Sequence, residues 1–171
     1  MTNLKTLLNT IPQQGKVIWI GLRPARRETM QVVDNVFASA ERGLDGDRYQ
    51  GRTGDRQVTL LQAEHLPVIA ACAGHTQIAP ELLRRNILVQ GINLLALRDK
   101  VITIGGVELA VTGLCHPCSR MEELLGAGGY NAMRGHGGVT ARVLTNGPIL
   151  IGDLVSLKPV SSEVNPKIQS T

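Results

Sequence analysis

The sequence has few aromatic residues, few cysteines and no long hydrophobic run. Its 171 residues include one Trp, one Phe and two Tyr. Proteins that bind single-stranded nucleic acid stack bases on aromatic side chains, so this scarcity argues against such a surface. No apolar run reaches the roughly 18 residues of a membrane-spanning helix, and the N-terminus does not resemble a signal peptide. Three cysteines are too few for a disulfide scaffold, so we expect a reducing, cytoplasmic setting.

Arginine dominates the basic residues of the chain. Thirteen of the eighteen basic residues are Arg, and seven of these lie between Arg23 and Arg56. The planar guanidinium suits bidentate recognition of phosphate or carboxylate. The bias therefore indicates either a small phosphorylated ligand or the codon habit of a GC-rich genome. Duplex nucleic acid is disfavoured, because no helix-turn-helix, zinc finger or other nucleic-acid-binding module is present.

Short β-rich runs separated by glycine turns predict the fold class. A hairpin is predicted where two such runs flank Gly105-Gly106, and Gly152-Asp153 is predicted to be a structural turn. Further strands are predicted over 15–22, 30–38, 57–61, 87–91, 138–144 and, as a final pair after an N-G-P turn, 149–157. Helices are predicted over 62–73, 79–86 and 122–125, with a further helical turn near 131–135. We expect a mainly β fold, a barrel with a few short helices, since the βαβ alternation of Rossmann or thioredoxin-like sheets is absent.

The predicted organisation has three parts. Residues 1–14 form an N-terminal arm or short helix, residues 15–158 form one domain, and residues 159–171 form a polar, flexible C-terminal tail. No internal repeat or second domain boundary is evident.

Two of the three cysteines lie in one short segment, V-T-G-L-C-H-P-C-S-R at 111–120. The C-x-x-C spacing of Cys115 and Cys118 resembles a redox pair, but the expected βαβ context is missing. The pair could supply half of a structural zinc site, but the four histidines and Cys72 offer no second pair with suitable spacing. Both cysteines could also be small buried hydrophobic residues.

A single functional thiol is the remaining interpretation of this segment. A thiolate is a soft metal ligand and a good nucleophile. It needs positive charge nearby, and Arg120 follows Cys118 by two residues. Pro117 would stiffen the backbone just before Cys118 and so orient its side chain.

Six motifs in order resemble the MOSC domain, the C-terminal domain of molybdenum cofactor sulfurases. They are G-L-D-G-D-R, D-R-Q-V-T-L-L, R-R-N-I-L-V-Q-G, V-T-G-L-C-H-P-C, G-V-T-A-R-V-L and I-G-D-L-V. The resemblance covers roughly residues 15–157. It implies a MOSC-type β-barrel that binds the molybdenum cofactor, molybdopterin with its metal, or handles sulfur for that cofactor.

The resemblance places the functional cysteine at Cys118, the cysteine that follows proline. In some members this cysteine is a molybdenum ligand. In members linked to a sulfurase it is thought to carry a persulfide made by a pyridoxal-phosphate-dependent desulfurase. Cys115 lies outside the usual pattern and is interpreted as auxiliary or structural. The chain carries neither a desulfurase nor a ferredoxin-type region, so separate partner proteins are expected to supply sulfur or electrons.

Further site residues follow from the same motifs. Arg48 and Arg56 are expected at the phosphate of the cofactor, although Arg48 could instead pair with Asp45 or Asp47. Thr59 and Asn86 could hydrogen-bond the pterin or its oxo ligands, or serve as a strand hydroxyl and a helix C-cap.

Two other residues depend on how their segments are placed. Arg142 faces the ligand if its strand lines the pocket, and is otherwise a solvated outer-face residue. His136 lies in a glycine-rich loop that could close over a ligand, or it is an ordinary surface histidine.

Three functions are therefore open from sequence. The first is reduction of an N-hydroxylated small molecule at a molybdenum centre with Cys118 as ligand. The second is a carrier of sulfur, as a Cys118 persulfide, or of the cofactor itself, without turnover of an external substrate. The third is a non-catalytic barrel that binds an anion through its arginines.

Overall fold

The computed structural model describes residues 3–159. In chain order, the helices and strands are α1 (Leu4–Asn9), β1 (Gly15–Leu22), β2 (Gln31–Val33), β3 (Asn35–Ser39), β4 (Gly43–Leu44), β5 (Val58–Gln62), α2 (His65–Cys72), β6 (Ile87–Gln90), β7 (Val101–Ile104), β8 (Val107–Leu114), α3 (Ser119–Leu125), α4 (Gly129–Met133), β9 (Val139–Val143), β10 (Gly147–Leu150) and β11 (Leu154–Leu157). Two short 3-10 helices span Pro80–Leu83 and Leu94–Leu97.

Seven strands close into a barrel in the order β11-β7-β8-β9-β5-β6-β1, and pairing of β1 with β11 completes the ring. β2 extends this sheet beyond β1, while β10, β3 and β4 form a separate three-stranded sheet. The predicted hairpin is confirmed, because β7 pairs with β8 across Gly105-Gly106. The mainly β, barrel-type fold class is therefore confirmed.

Residues 3–159 form two apolar cores, one on each side of β5 and β6. Leu60 and Ile87 belong to the core inside the barrel, whereas Leu61 and Leu88 belong to a smaller core beneath the helices. The smaller core contains Met121 from α3 and the crossover segment between β5 and β6. Burial on both faces explains why neither strand shows the alternating apolar and polar residues of a half-buried strand. β5 and β6 run parallel, as this crossover requires.

Several predicted boundaries were wrong. The run 30–38 divides at Asp34, because β2 pairs with β1 while β3 pairs with β10 and β4. The N-G-P segment is less a turn than the start of β10, whose Gly147 pairs with Ala38.

Two more predictions near the C-terminal half need correction. The final strands do not pair with each other, since β11 closes the barrel and β10 lies in the other sheet. The helical turn expected at 122–125 begins at Ser119, directly after the cysteine segment. The predicted tail falls mostly on residues 160–171, outside the described part of the chain.

Candidate functional site

A cavity of about 390 Å³ opens where β1 ends and the cysteine segment begins. Among residues 3–159, sixteen line the cavity; eight of these are arginines, and Glu123 is the single acidic one. The arginines come from separated parts of the chain: Arg23, Arg26, Arg27, Arg48, Arg56, Arg84, Arg85 and Arg120. We call it the arginine cavity. So many cations around one hollow create a strong positive potential that favours an anionic ligand.

A buried polar network forms the floor of the arginine cavity. The Asp47 carboxylate accepts hydrogen bonds from Arg23 Nη2 at 2.7 Å, Arg23 Nε at 3.0 Å and Asn86 Nδ2 at 2.9 Å. The Thr59 hydroxyl donates to Asn86 Oδ1 at 2.8 Å and accepts from the backbone N–H of Asn86 at 3.0 Å. We call Arg23, Asp47, Thr59 and Asn86 the floor network. Because its members satisfy one another, it holds the cavity shape without a ligand.

The charge of Asp47 is fixed by this network. Its side chain is completely buried, while Arg23 retains 16% exposure. Burial alone would raise the pKa of Asp47. The hydrogen bonds and charge of Arg23, together with a hydrogen bond from the Asn86 side chain, lower this pKa below its ordinary value of 3.8. Asp47 is therefore ionised at neutral pH.

Arg85 holds the cysteine segment from behind. Its guanidinium donates to the carbonyls of Gly137 at 2.8 Å, Leu83 at 2.9 Å, Cys115 at 3.2 Å and His116 at 3.4 Å. Burial lowers the pKa of Arg85, yet these acceptors surround the charge in the fork geometry that only arginine provides. We call this arrangement the Arg85 clamp.

A glycine is required where the 134–138 loop meets the cysteine segment. A Cβ on Gly137 would overlap the Cys115 carbonyl oxygen, and one on Gly138 would overlap the Leu60 carbonyl oxygen. Gly138 also has φ of +84°, which glycine adopts at no steric cost. The Gly137-Gly138 pair therefore allows the loop to pack against the clamp.

The two cysteines have different environments. Cys115 is buried, with Arg56 Nη2 4.0 Å from its sulfur, whereas Cys118 is exposed and lies just before α3. Both line the arginine cavity. In a thioredoxin-type motif the first cysteine is the accessible nucleophile. The order is reversed here, because the second cysteine, Cys118, is the exposed one.

Two guanidinium nitrogens in the cavity are buried and unpartnered within residues 3–159. They are Arg84 Nη2 and Arg120 Nε. Burial, followed by the charges of Arg23, Arg120 and Arg48, lowers the pKa of Arg84. Buried donors are normally satisfied, so these two atoms hold unused hydrogen-bonding capacity in residues that line the cavity.

Backbone strain also concentrates in this cavity. Only three described non-glycine residues have positive φ, and two are cavity arginines, Arg27 at 67° and Arg84 at 56°. Such conformations cost about 1 to 3 kcal/mol and cluster at functional sites.

A partly exposed set of charges lies at the cavity mouth. Glu123 Oε2 accepts from Arg120 Nη1 at 2.6 Å, and Glu123 Oε1 lies 3.4 Å from Arg27 Nη2. We call these three residues the mouth triad. The hydrogen bond with Arg120 lowers the pKa of Glu123, so its carboxylate is ionised at neutral pH.

Five of the residues predicted from sequence line the arginine cavity: Arg48, Arg56, Thr59, Cys118 and Arg120. Asn86 lies one layer behind, fully buried, and is not a helix C-cap because Arg84 occupies that position of the 3-10 helix. Arg48 does not pair with Asp45 or Asp47, which pair with Arg42 and Arg23.

Two predicted candidates lie away from the cavity lining. Arg142 is on the outer face of β9 and pairs with Asp55. Its neighbours on the strand, Ala141 and Val143, are buried, so the strand turns Arg142 outward. His136 contacts His65 edge to face, with ring centroids 5.1 Å apart, and does not line the cavity.

Five of the eight cavity arginines, and Glu123, were not predicted from the sequence. The R-P-A-R-R segment that holds Arg23, Arg26 and Arg27 follows a predicted strand, where binding residues often lie. Arg84 and Arg85 immediately precede Asn86, inside a motif already singled out. Their position beside a predicted strand and a recognised motif could therefore have identified these arginines as candidate site residues.

Neither a metal-binding cluster nor a membrane-spanning helix is found in the described part of the chain. Residues 3–159 contain no cluster of three or more His, Cys, Asp or Glu side chains that could hold a metal ion. None of the helices within these residues has the length and apolar character needed to cross a membrane.

The sequence pattern of the MOSC domain family matches residues 34–156, so the chain belongs to this family. The fold is similar to three solved structures. The YuaD protein from Bacillus subtilis has 19% sequence identity and a TM-score of 0.73, and the match covers 85% of this chain and 97% of that chain. YiiM from Geobacillus stearothermophilus has 17% identity and a TM-score of 0.69, with 85% of this chain and 75% of that chain covered. YiiM from Escherichia coli has 17% identity and a TM-score of 0.66, with 86% of this chain and 72% of that chain covered. At these identities the likeness shows the fold alone. No curated protein matches the sequence significantly.

Proposed function

We propose that this MOSC protein binds the molybdenum cofactor in the arginine cavity, with the Cys118 thiolate as the protein ligand to the metal. The observation that carries the proposal is the accessible Cys118 thiol in the same cavity as two buried, unpartnered guanidinium nitrogens. The resemblance to molybdenum cofactor sulfurases supports this choice of ligand. A soft thiolate beside an anion site suits a metal carried by a phosphorylated pterin.

The residues of the cavity fit such a group. Arg84 Nη2 and Arg120 Nε are free to donate to phosphate oxygens, and charge-assisted bonds of this kind are strong. Arg48 and Arg56 add positive charge without a carboxylate partner among residues 3–159. The floor network and the Arg85 clamp would hold this arrangement rigid before the cofactor enters.

The proposed reaction is reduction of an N-hydroxylated small molecule. The bound cofactor would supply two-electron oxygen-abstraction chemistry. Cys118 would hold the metal, and the clamped cysteine segment would set where the substrate approaches. A separate electron-transfer protein would supply reducing equivalents, and a cytoplasmic location belongs to the same proposal.

Exposure of Cys118 favours a second candidate, a sulfur or cofactor carrier. The Cys118 thiolate would attack the outer sulfur of a donor persulfide, forming a Cys118 persulfide and releasing the donor thiolate. The donor would be a pyridoxal-phosphate-dependent desulfurase, so pyridoxal phosphate would belong to that partner.

Metal and pterin analysis of the purified protein tests the proposal. The protein should be produced in a host able to make the cofactor, as wild type, Cys118→Ser and Cys72→Ser. Cys72 is a matched control, because it is also a free, exposed cysteine but lies on α2. We expect molybdenum and pterin in wild type and Cys72→Ser, and loss of molybdenum in Cys118→Ser.

Other results of the same analysis separate the candidates. Cyanide-labile sulfur that depends on Cys118, without molybdenum, would replace the first proposal with the carrier. Absence of both from a folded wild-type protein would leave an anion-binding barrel.

A further inference from the structure

Glu123 occupies a place in the arginine cavity where a ligand anion would be expected. Within the described part of the chain, it is the one acidic residue lining a cavity with eight arginines. Its two carboxylate oxygens face two different arginines, Arg27 after β1 and Arg120 on α3. A carboxylate between two guanidinium groups has the same pattern as a bound oxyanion.

The contacts of Glu123 are exchangeable. Its side chain is 43% exposed, that of Arg27 is 61% exposed and that of Arg120 is 26% exposed. Ion pairs this open to solvent are weak and screened by salt. A ligand anion could therefore take over both arginines at little cost, in contrast to the buried Asp47 of the floor network.

We propose that Glu123 is an internal competitor for the anionic group of the ligand and so determines which anions the cavity accepts. This inference rests on the proposed function only in taking the cavity as the ligand site. A singly charged carboxylate that replaces Glu123 gains no charge. A phosphate group carries up to two negative charges at neutral pH and gains attraction to both arginines. The favoured ligand class is therefore phosphate esters and diphosphates rather than carboxylates.

The adjacent residue offers a matched control. Glu122 lies on the same helix and does not line the cavity, and its carboxylate accepts from the backbone amides of Gly128 at 2.7 Å and Tyr130 at 2.8 Å. Glu122→Gln and Glu123→Gln make the same change in net charge. A difference between them reports the position of the carboxylate rather than overall charge.

The experiment measures binding of inorganic pyrophosphate and of acetate to the full cofactor-free chain by calorimetry at low ionic strength. Circular dichroism first verifies that each variant is folded. We expect Glu123→Gln to bind pyrophosphate about fivefold more tightly than wild type, the upper range for release of an exposed ion pair. Glu122→Gln should stay within about twofold of wild type. Acetate should bind measurably better only to Glu123→Gln.

Three results would overturn the inference. Equal tightening in both variants would show a general charge effect. Weaker binding by Glu123→Gln would show that Glu123 organises the site. No pyrophosphate binding to any folded variant would show that the cavity is not an anion site. Failure of the molybdenum proposal alone, with this pattern intact, would leave the competitor role standing.

Discussion

The arginine cavity contains two arginine–carboxylate arrangements that differ in burial. In the floor network, Asp47 is completely buried and also bonded to Asn86. In the mouth triad, Glu123 is 43% exposed, and its partners among the described residues are both arginines. The comparison shows that an arginine–carboxylate pair supports the structure when it is buried and stays exchangeable when it is exposed to water.

Substituting a glycine behind the cavity should have the largest effect. Gly137→Ala forces a Cβ against the Cys115 carbonyl and disrupts the Arg85 clamp, so we expect a loss of about 3 kcal/mol in the free energy of unfolding. Urea denaturation measures it. The control is Gly106→Ala in the β7–β8 turn, where a Cβ meets nothing within 4 Å and the loss should stay below about 1 kcal/mol. Equal losses would contradict a special role for Gly137.

Removing the charge of Asp47 should have the next largest effect. Asp47→Asn leaves Arg23 without its counter-ion, and we expect a loss of about 2 kcal/mol in the free energy of unfolding. This is below the value of about 3 to 5 kcal/mol for a fully buried pair, because Arg23 keeps 16% exposure. Thermal and urea unfolding measure it. Glu123→Gln should leave the free energy of unfolding unchanged, and a loss as large as that of Asp47→Asn would erase the distinction between floor and mouth.

The stability of the protein in acid should also depend on the buried Asp47 carboxylate. The folded-state pKa of Asp47 is lowered from 3.8, so its contribution to stability is present above that pH. The contribution is lost as the pH falls below 3.8 and through the folded-state pKa. We expect the free energy of unfolding of Asp47→Asn to decline less steeply than that of wild type in this acid range. Parallel curves for the two proteins would show that Asp47 is not held ionised by Arg23.

Arg48→Gln should have only a small effect on stability. The side chain is exposed, and within residues 3–159 it has no carboxylate partner, so the free energy of unfolding should change by less than about 0.5 kcal/mol. Pyrophosphate should nevertheless bind a few-fold more weakly, because the cavity loses a charge. A stability loss without weaker binding would assign Arg48 to the fold rather than to the ligand.

Much of the fold was predictable because its signals are local. The Gly105-Gly106 turn, the short β-rich runs and the ordered motifs all depend on neighbouring residues. The division of 30–38 at Asp34 was not predictable in this way. Both halves are β-rich, and only pairing with distant β1 and β10 assigns them to different sheets.

The candidate site shows the same limit. Cys118 and Arg120 could be chosen from one segment, since a thiol and a nearby cation are adjacent in sequence. Arg142 could not be resolved, because the direction of its side chain depends on which face of β9 meets the barrel core.

The order of residues alone was enough to indicate a β-barrel of the MOSC family, and it predicts a functional cysteine after proline. Turn chemistry, apolar runs and motif spacing act over short stretches of chain. Three features arise only when the barrel closes. Eight arginines then line one cavity, Asp47 but not Glu123 is buried, and Arg85 hydrogen-bonds the cysteine segment. Long-range contacts set burial, and burial decides whether a charge supports the fold or remains free for a ligand.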